Sequence, residues 1–325
     1  MLTIAKLAEK HELETVEMRA AYCQALMAEA EKNADIVTVD CDMQSAMGMV
    51  PFAKKFGPKR SLNCGIQEAN ALGVAAGLSA VDFVPFYHTF ACYASRRVYD
   101  QAYISCAYAG LNVKIVGGEV GVSAAANGGT HMPFDDVGIM RNIPGIVIVE
   151  PADTSAFPDL VRQMADTYGV FYLRMPRKQM VKIYGEGNSF TIGKANLLRE
   201  GSDVTIMAYG MTVYQALLAA DMLAAEGIRA RVADMMTIKP VDKEFVLDSA
   251  VKTGALVTVE NHSVVNGLGA AVAEIVVKYH PTPMRMVGVD DEFGEVGDQE
   301  WLMQRFGITA KDVYDKTKEV LATKQ

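Results

Sequence analysis

The sequence has few features that would place the protein at a membrane or on nucleic acid. It contains no apolar run of the ~18 residues or more that a transmembrane helix requires. Its N-terminal stretch, MLTIAKLAEKHELETVEMRAAY, is charged and lacks the apolar core of a signal peptide. Acidic side chains outnumber basic ones, and the net charge of −8 disfavours phosphate backbones and anionic lipid as partners. We therefore expect a cytoplasmic protein with no nucleic-acid or membrane partner.

The sequence is also poor in motifs that bind metals or nucleotides. Its five cysteines are an odd number without CxxC spacing, so reduced thiols are expected rather than a zinc site or a disulfide framework. Neither a GxxxxGK[ST] nor a GxGxxG phosphate loop occurs where a ligand would bind. We expect no metal ligands in this chain.

What the sequence does have is a repeated alternation of short β-branched runs with helical stretches. Strands are predicted at residues 34–40, 82–90, 112–118, 145–151, 170–176, 203–210, 228–235, 254–260 and 284–289. Helices are predicted at 13–33, 68–79, 91–109, 153–167, 211–226, 242–252, 267–279 and 309–324. The pattern predicts an α/β fold with parallel sheets covered on both faces. The length suits two domains, which we place at residues 1–180 and 198–325 with a linker at 181–197.

The loops after the predicted strands indicate where a ligand binds. Open α/β sheets bind ligands at the carboxyl ends of their parallel strands. Here the loops with the most informative residues all belong to the first domain, at 41–48, 64–70, 86–93, 117–133 and 174–178. We therefore place the site in the first domain.

Two titratable residues in these loops have both a structural and a functional interpretation. Glu68 is the one carboxylate in LNCGIQEANALGVAAGLS, residues 62–79. It is either a helix-dipole residue at the start of a helix or a desolvated acid of raised pKa that shares a proton with a ligand nitrogen. His131 follows the small-residue loop GGEVGVSAAANGGT. It is either a hydrogen-bonded structural histidine or a site residue beside a loop that approaches a ligand by its backbone.

Aromatic and cationic residues in the same loops are open to two interpretations as well. The run PFYHTFACYASRRVYDQAY, residues 85–103, is typical of core packing or of a pocket for a flat heterocycle. Arg174 and Arg177 lie at the end of a predicted strand. One of them binds an anion, or it forms a surface ion pair.

Five motifs occur in the order found in a known family. They are NCGIQEANALGVAAGLSA, VPFYHTF, GGTHMPFDDVGIMRNIPGIVIVEPAD, YLRMPR and VTVENHSVVNGLGAAVAE. Together they resemble the C-terminal half of transketolase and of its relative deoxyxylulose-phosphate synthase, over nearly the whole chain and most strongly over residues 36–177. The resemblance implies a thiamine-diphosphate-binding, pyrimidine-type parallel-sheet domain followed by a transketolase C-terminal α/β domain.

The resemblance also implies a partner subunit. Full-length members carry a GDG…N motif in a preceding domain, whose Asp and Asn hold Mg²⁺ and thiamine diphosphate, and this sequence has no such segment. The chain thus resembles the C-terminal subunit of a split transketolase, with the metal and diphosphate ligands on an N-terminal partner subunit. This implies an α2β2 heterotetramer that transfers a two-carbon ketol unit from a ketose donor to an aldose acceptor, and a chain that is inactive alone.

Four positions match cofactor-binding residues of the family. Glu68 matches the glutamate that bonds N1′ of the aminopyrimidine and so favours the imino tautomer that activates the cofactor; an apolar setting is expected to keep its pKa high. Phe90 and Tyr93 match the aromatic positions on either side of the aminopyrimidine, and Tyr93 replaces a common Phe. Asp42 matches an Asp near the cofactor and the subunit interface.

The substrate positions combine matches with departures. His131 matches the histidine that meets the C1 hydroxyl and carbonyl region of the donor, and Arg177 matches an arginine that binds the terminal phosphate. Asn127 stands where transketolases have an Asp that contacts a sugar hydroxyl, Glu119 where they have a phosphate-binding His, and Ala46 about where they have a phosphate-binding Ser. An anionic Glu119 beside a phosphate is repelled unless it pairs with Arg177 or meets an amine or hydroxyl. We therefore expect an atypical, non-phosphorylated or modified sugar substrate.

Two further departures lie near the same loops. Met132 replaces a usual Gln after the histidine, and His88 stands where relatives often have a small residue. His88 either adds a donor to the substrate pocket or is structural.

Three alternatives remain at this stage. The β subunit of a 2-oxoacid dehydrogenase E1 component has a similar length and the same two domains, but the GGTHMPFDD loop fits transketolase better. A deoxyxylulose-phosphate-synthase-like enzyme is the second alternative, supported by DMQSAMGMVPFAKKF. A non-catalytic regulatory subunit is the third, and Glu68, Phe90, Tyr93 and His131 argue against it.

Overall fold

The computed structural model describes residues 4–324, in which twelve strands form two sheets. The strands are β1 (Ile36–Asp40), β2 (Ser61–Asn63), β3 (Val84–Phe90), β4 (Lys114–Gly118), β5 (Val147–Val149), β6 (Phe171–Met175), β7 (Asn196–Arg199), β8 (Val204–Ala208), β9 (Ala230–Asp234), β10 (Thr237–Lys239), β11 (Leu256–Ser263) and β12 (Met284–Val289). The seven-stranded sheet has the order β10-β5-β6-β4-β3-β1-β2, and the five-stranded sheet has the order β12-β11-β8-β9-β7.

Helices cover the faces of both sheets. The α-helices are α1 (Met18–Lys32), α2 (Val50–Phe56), α3 (Glu68–Ser79), α4 (Asp136–Arg141), α5 (Phe157–Asp166), α6 (Thr212–Ala225), α7 (Lys243–Thr253), α8 (Leu268–Tyr279), α9 (Gln299–Arg305) and α10 (Ala310–Ala322). Shorter 3₁₀ segments lie at Gly121–Asn127 and Thr154–Ala156. Within residues 4–324, no helix is both long and apolar enough to cross a membrane.

The first sheet brings four strand ends to one edge. β1, β4 and β6 are buried at every position, as expected of parallel strands with helices on both faces. Asp40 at the end of β1 lies opposite His88 of β3, while Phe90 lies opposite Gly118 and Gly118 opposite Met175. The loops that follow these strands therefore meet at the carboxyl edge, where ligands bind in such sheets.

Two short strands make the sheets mixed rather than wholly parallel. β10, from the second half of the chain, runs antiparallel beside β5 with Thr237 opposite Val149. β7 runs antiparallel beside β9 at the edge of the second sheet. The sequence pattern predicts neither strand, because three or four residues at a sheet edge carry too little periodicity. β10 joins the second half of the chain to the first sheet.

The helix predicted at residues 91–109 is replaced by two wide-turned π-helical segments. They span Tyr93–Arg97 and Gln101–Tyr108. Such segments are rare and occur frequently at functional sites. The first one carries an aromatic residue predicted to contact the cofactor.

Arg174 is buried, which corrects the expectation that it binds an anion or forms a surface ion pair. Its side chain is 0% exposed and contacts Asp136 at 2.8 Å and Glu150 at 2.5 Å. Burial alone would raise the pKa of Asp136, but the Arg174 charge and the hydrogen bonds of Arg174 and Tyr172 outweigh it, so the pKa is lowered. Arg174 also donates to the Asn261 carbonyl at 2.8 Å, which links β6 to β11 of the other sheet. Arg174 therefore contributes buried ion pairs and one bond between the two sheets rather than a contact to a ligand.

Candidate active site

Glu68 is the first residue of α3, beside the carboxyl edge of the first sheet. Its side chain is buried, at 5% exposure, and its Oε1 accepts a hydrogen bond of 2.7 Å from Arg97. The hydroxyl of Tyr87, on the adjacent strand β3, donates to the Glu68 carbonyl at 3.4 Å. The setting of Glu68 is therefore not the apolar one that the sequence led us to expect, because a guanidinium is bound to one carboxylate oxygen.

Two aromatic rings lie beside this ion pair. The rings of Phe90 and Tyr93 are stacked, with centroids 6.3 Å apart and planes 24° apart. The Arg97 guanidinium lies over the Tyr93 ring at 4.1 Å, and the Arg177 guanidinium lies over the Phe90 ring at 5.0 Å. These contacts place aromatic surface and the Glu68 carboxylate together, which is what a flat, basic heterocycle requires.

His131 closes the same cluster. Its Nε2 is 2.9 Å from the Tyr93 hydroxyl, and its Nδ1 is 2.8 Å from Oγ1 of Thr130. The His131 ring lies edge-on to both Phe90 and Tyr93, with centroid distances of 6.0 Å and 5.5 Å. The structure thus brings together the four predicted residues Glu68, Phe90, Tyr93 and His131.

Arg177 and Glu119 form an ion pair instead of an open phosphate site. The Arg177 guanidinium bonds Oε1 of Glu119, which is only 3% exposed. Burial raises the pKa of the Glu119 carboxyl, and the charges of Arg177, Lys178 and Arg19 oppose that rise. Glu119 itself adopts a left-handed backbone conformation at φ 58, rare for a residue with a side chain. One carboxylate therefore neutralises the arginine that the sequence matches to phosphate.

Arg19 is a site residue that the sequence reasoning missed. Its guanidinium donates to the Ala46 carbonyl at 2.9 Å, and Arg177 approaches the same carbonyl at 3.4 Å. Arg19 also pairs with Glu17 at 2.7 Å. Two guanidiniums therefore converge on the loop after β1. No local pattern indicates this, because Arg19 lies in the first turn of α1, far from that loop along the chain.

Arg97 is the second missed residue, and here the sequence did contain a signal. It lies four positions after Tyr93 in a predicted helix, and residues at that spacing share a helix face. The neighbouring arginine, Arg96, instead points toward Thr130, with a distance of 3.4 Å to its carbonyl.

Three other predicted residues lie at different depths. Asp42 is exposed in the loop after β1, with a backbone φ of 61, and Asn127 is exposed at the end of the Gly121–Asn127 segment. His88 is 0% exposed, with Nε2 at 2.9 Å from the Tyr22 hydroxyl and Nδ1 at 3.8 Å from Asp40. Burial lowers the pKa of His88 to about 3, so the ring is neutral. His88 is therefore a core residue beneath the site and contributes no exposed donor to it.

Metal ligands are not clustered in the described part of the chain. Among residues 4–324, no group of three or more His, Cys, Asp or Glu side chains could hold a metal ion. The five cysteines are free thiols, and four of them are buried.

Comparisons with known proteins identify the family of this chain. Family models of the transketolase pyrimidine binding domain and the transketolase C-terminal domain match residues 14–182 and 193–313. The chain is 48% identical over 307 residues to the 6-deoxy-6-sulfo-D-fructose transketolase subunit SqwH of Clostridium sp. strain MSTE9, covering 94% of this chain and 95% of that protein. It is 36% identical over 296 residues to a subunit of the apulose-4-phosphate transketolase of Phocaeicola vulgatus, covering 91% of this chain and 94% of that protein.

A solved structure is similar as well. It is described as a split gene transketolase, inactive beta4 tetramer, and it superposes with a TM-score of 0.89 at 40% identity, covering 95% of this chain and 100% of that chain. This chain belongs to the transketolase family and is a C-terminal transketolase subunit, which confirms the predicted family and two-domain fold. Membership implies thiamine diphosphate as the cofactor.

Proposed function

We propose that this chain supplies the pyrimidine half of a thiamine diphosphate site that an N-terminal transketolase subunit completes. The observation that carries this is the Glu68 cluster, in which Glu68 is buried while its partner Arg97 has a side chain 49% exposed. Ile66, two residues before Glu68, is 74% exposed, and Asp42 is exposed on the neighbouring loop. Exposed residues therefore border the cluster and leave this side of the chain accessible to a partner. We propose that the partner provides the Mg²⁺ and diphosphate ligands and that the assembly is α2β2.

The residues present fit the pyrimidine half of this cofactor. Thiamine diphosphate, when bound, supplies the carbanion chemistry that a two-carbon ketol transfer needs. Glu68 uses Oε1 for Arg97, so its other oxygen is available to share a proton with a ring nitrogen. Phe90 and Tyr93 offer aromatic surface to the heterocycle. Nδ1 of His131, whose partner is the hydroxyl of the exposed Thr130, is the nitrogen at which a sugar hydroxyl would take the place of that partner.

We further propose that the donor is a ketose with a singly charged terminal group, with 6-deoxy-6-sulfo-D-fructose the leading candidate. We place the charged terminal group of the donor beside Glu119. Three cationic side chains act electrostatically on Glu119, namely Arg19, Arg177 and Lys178. Two carboxylates, Glu17 and Glu119, pair with the two arginines. One net positive charge remains. It matches a sulfonate, which carries one negative charge, better than a phosphate monoester, which carries ~1.5–2. The similarity to the SqwH subunit supports the same choice.

The test is reconstitution with the N-terminal partner chain, thiamine diphosphate and Mg²⁺. Donors would be 6-deoxy-6-sulfo-D-fructose, D-fructose 6-phosphate and D-xylulose 5-phosphate, with D-glyceraldehyde 3-phosphate as acceptor and product sugars measured by mass spectrometry. We expect turnover only when both chains are present, and a kcat/KM for the sulfonated donor at least ~10-fold above the phosphorylated ones. Equal or better turnover of the phosphorylated ketoses would refute the donor assignment. Absence of thiamine diphosphate binding with the partner would favour a non-catalytic subunit.

Substitution of Glu119 tests the charge argument directly. Glu119→Gln removes one of the two carboxylates and leaves Arg177 free to meet a second negative charge. We expect the ratio of kcat/KM for D-fructose 6-phosphate to that for the sulfonated donor to rise ~10-fold. Glu12→Gln is the matched control, because Glu12 is exposed and pairs only loosely with Lys10 at 3.9 Å. The charge argument fails if both variants keep the wild-type ratio.

A further inference from the structure

Tyr93 makes a contact that phenylalanine could not make. Its hydroxyl lies 2.9 Å from Nε2 of His131, whose Nδ1 lies 2.8 Å from Oγ1 of Thr130. Both ring nitrogens of His131 are therefore engaged, and each has one hydroxyl partner.

These two partners constrain the tautomer of His131. A neutral imidazole has one donor and one acceptor nitrogen, and the bond at one nitrogen decides the state of the other. A phenol is a stronger acid than an aliphatic hydroxyl and donates more readily to an imidazole nitrogen. Burial raises the pKa of Tyr93, with the neighbouring Cys92 adding to the rise, so its proton is retained at neutral pH. Donation from Tyr93 to Nε2 leaves the proton of His131 on Nδ1, where it points to Thr130.

The Tyr93 ring is held from the other side by the Glu68 pair. The Arg97 guanidinium lies 4.1 Å from the centre of that ring while its NH1 bonds Glu68 at 2.7 Å. The His131 ring lies edge-on to Tyr93 at 72°, so a movement of Tyr93 displaces both the histidine and the guanidinium. Tyr93 thus lies between Glu68, which we propose faces the cofactor nitrogen, and His131, which we propose faces the sugar.

We propose that Tyr93 is a positioning residue whose hydroxyl sets the tautomer and ring orientation of His131 for the donor sugar. Its ring keeps the aromatic contact to the heterocycle that phenylalanine would also provide. The hydrogen bond between Tyr93 and His131 lies within this chain and can be tested without a partner. Its consequence for turnover rests on the proposed function.

The first arm of the test uses the chain without cofactor. Histidine labelled with ¹⁵N gives ring signals for five residues, and His131→Asn identifies those of His131. We expect wild type to show a protonated Nδ1 and an unprotonated Nε2, and Tyr93→Phe to shift His131 toward the tautomer mixture of free histidine. Tyr108→Phe, at a side chain 82% exposed, is the matched control and leaves the His131 signals unchanged. An unchanged tautomer in Tyr93→Phe overturns the proposal.

The second arm uses the enzyme assembled with its partner. We expect Tyr93→Phe to lower kcat/KM for the donor ~10-fold, because the loss of one hydrogen bond has an effect of about that size. We expect calorimetry to show a thiamine diphosphate affinity within about twofold of wild type. A changed tautomer with unchanged kcat/KM also overturns the proposal. If no variant turns over any donor, the proposed function has failed, and the NMR arm alone decides whether Tyr93 holds His131.

Discussion

Glu68→Gln is expected to lower kcat of the assembled enzyme by at least ~100-fold while leaving the fold intact. Glutamine has the same shape, and its carbonyl oxygen still accepts the hydrogen bond that Arg97 donates to Glu68 Oε1. It cannot share a proton with a ring nitrogen, which is the role we propose for the Glu68 carboxyl group. The measurement is kcat with saturating thiamine diphosphate and donor, together with circular dichroism of both proteins.

A swap variant separates the identity of the carboxylate from the charge of the region. Gln67→Glu combined with Glu68→Gln keeps the net charge and moves the carboxylate by one residue, onto an exposed position at the helix start. We expect the swap to be as inactive as the single variant, because Gln67 is an exposed N-cap residue with non-helical backbone angles and its side chain does not occupy the buried position of Glu68. Either variant retaining a tenth of wild-type kcat would show that Glu68 is not the proton partner.

The residues of the candidate site that cluster in the structure could be named from the sequence where they occur in motifs. Phe90 ends β3, while Glu68, Tyr93 and His131 lie in the segments that follow strands, Glu68 at the start of α3 and Tyr93 in the first π-helical segment. The structure places the four side chains in one cluster. The match of these positions to transketolase motifs gave each residue a role that spacing alone left open. The contact between Arg97 and Glu68 was not predicted, since the two residues are 29 positions apart and the local pattern indicates that Arg97 belongs to a charged, exposed helix face.

The burial of individual side chains was predicted less well than the strands on which they lie. His88 lies in an apolar strand, and its polar ring suggested a pocket, yet its partner is Tyr22, 66 residues away on α1. A sequence pattern shows on which face of a strand a side chain lies, but the distant group that satisfies it is set by tertiary packing. The same limit explains β10, whose three residues acquire strand geometry only by pairing with β5.

The burial of Arg174 was not predicted either, and substitution of this residue has the second large expected effect, on the free energy of unfolding. It lies 0% exposed on β6, bound to Asp136 and Glu150, and its bond to the Asn261 carbonyl reaches the other sheet. Removing one partner of such a cluster leaves buried charges without compensation. We expect Arg174→Met to lower the free energy of unfolding by about 3–5 kcal/mol, measured as a shift of the urea midpoint at unchanged slope.

The control for this effect is an arginine of the same ion-pair type on the surface. Arg162 pairs with Asp159 at 3.1 Å on α5 with its side chain 47% exposed, and Arg162→Met is expected to cost less than ~1 kcal/mol because solvent screens the pair. Adding Asp136→Asn and Glu150→Gln to Arg174→Met should recover part of the loss, since the stranded charges are then gone. Equal midpoints for the Arg162 and Arg174 variants would mean that water reaches the cluster. The charge network would then contribute little to joining the two sheets, leaving β10 and apolar packing to hold them.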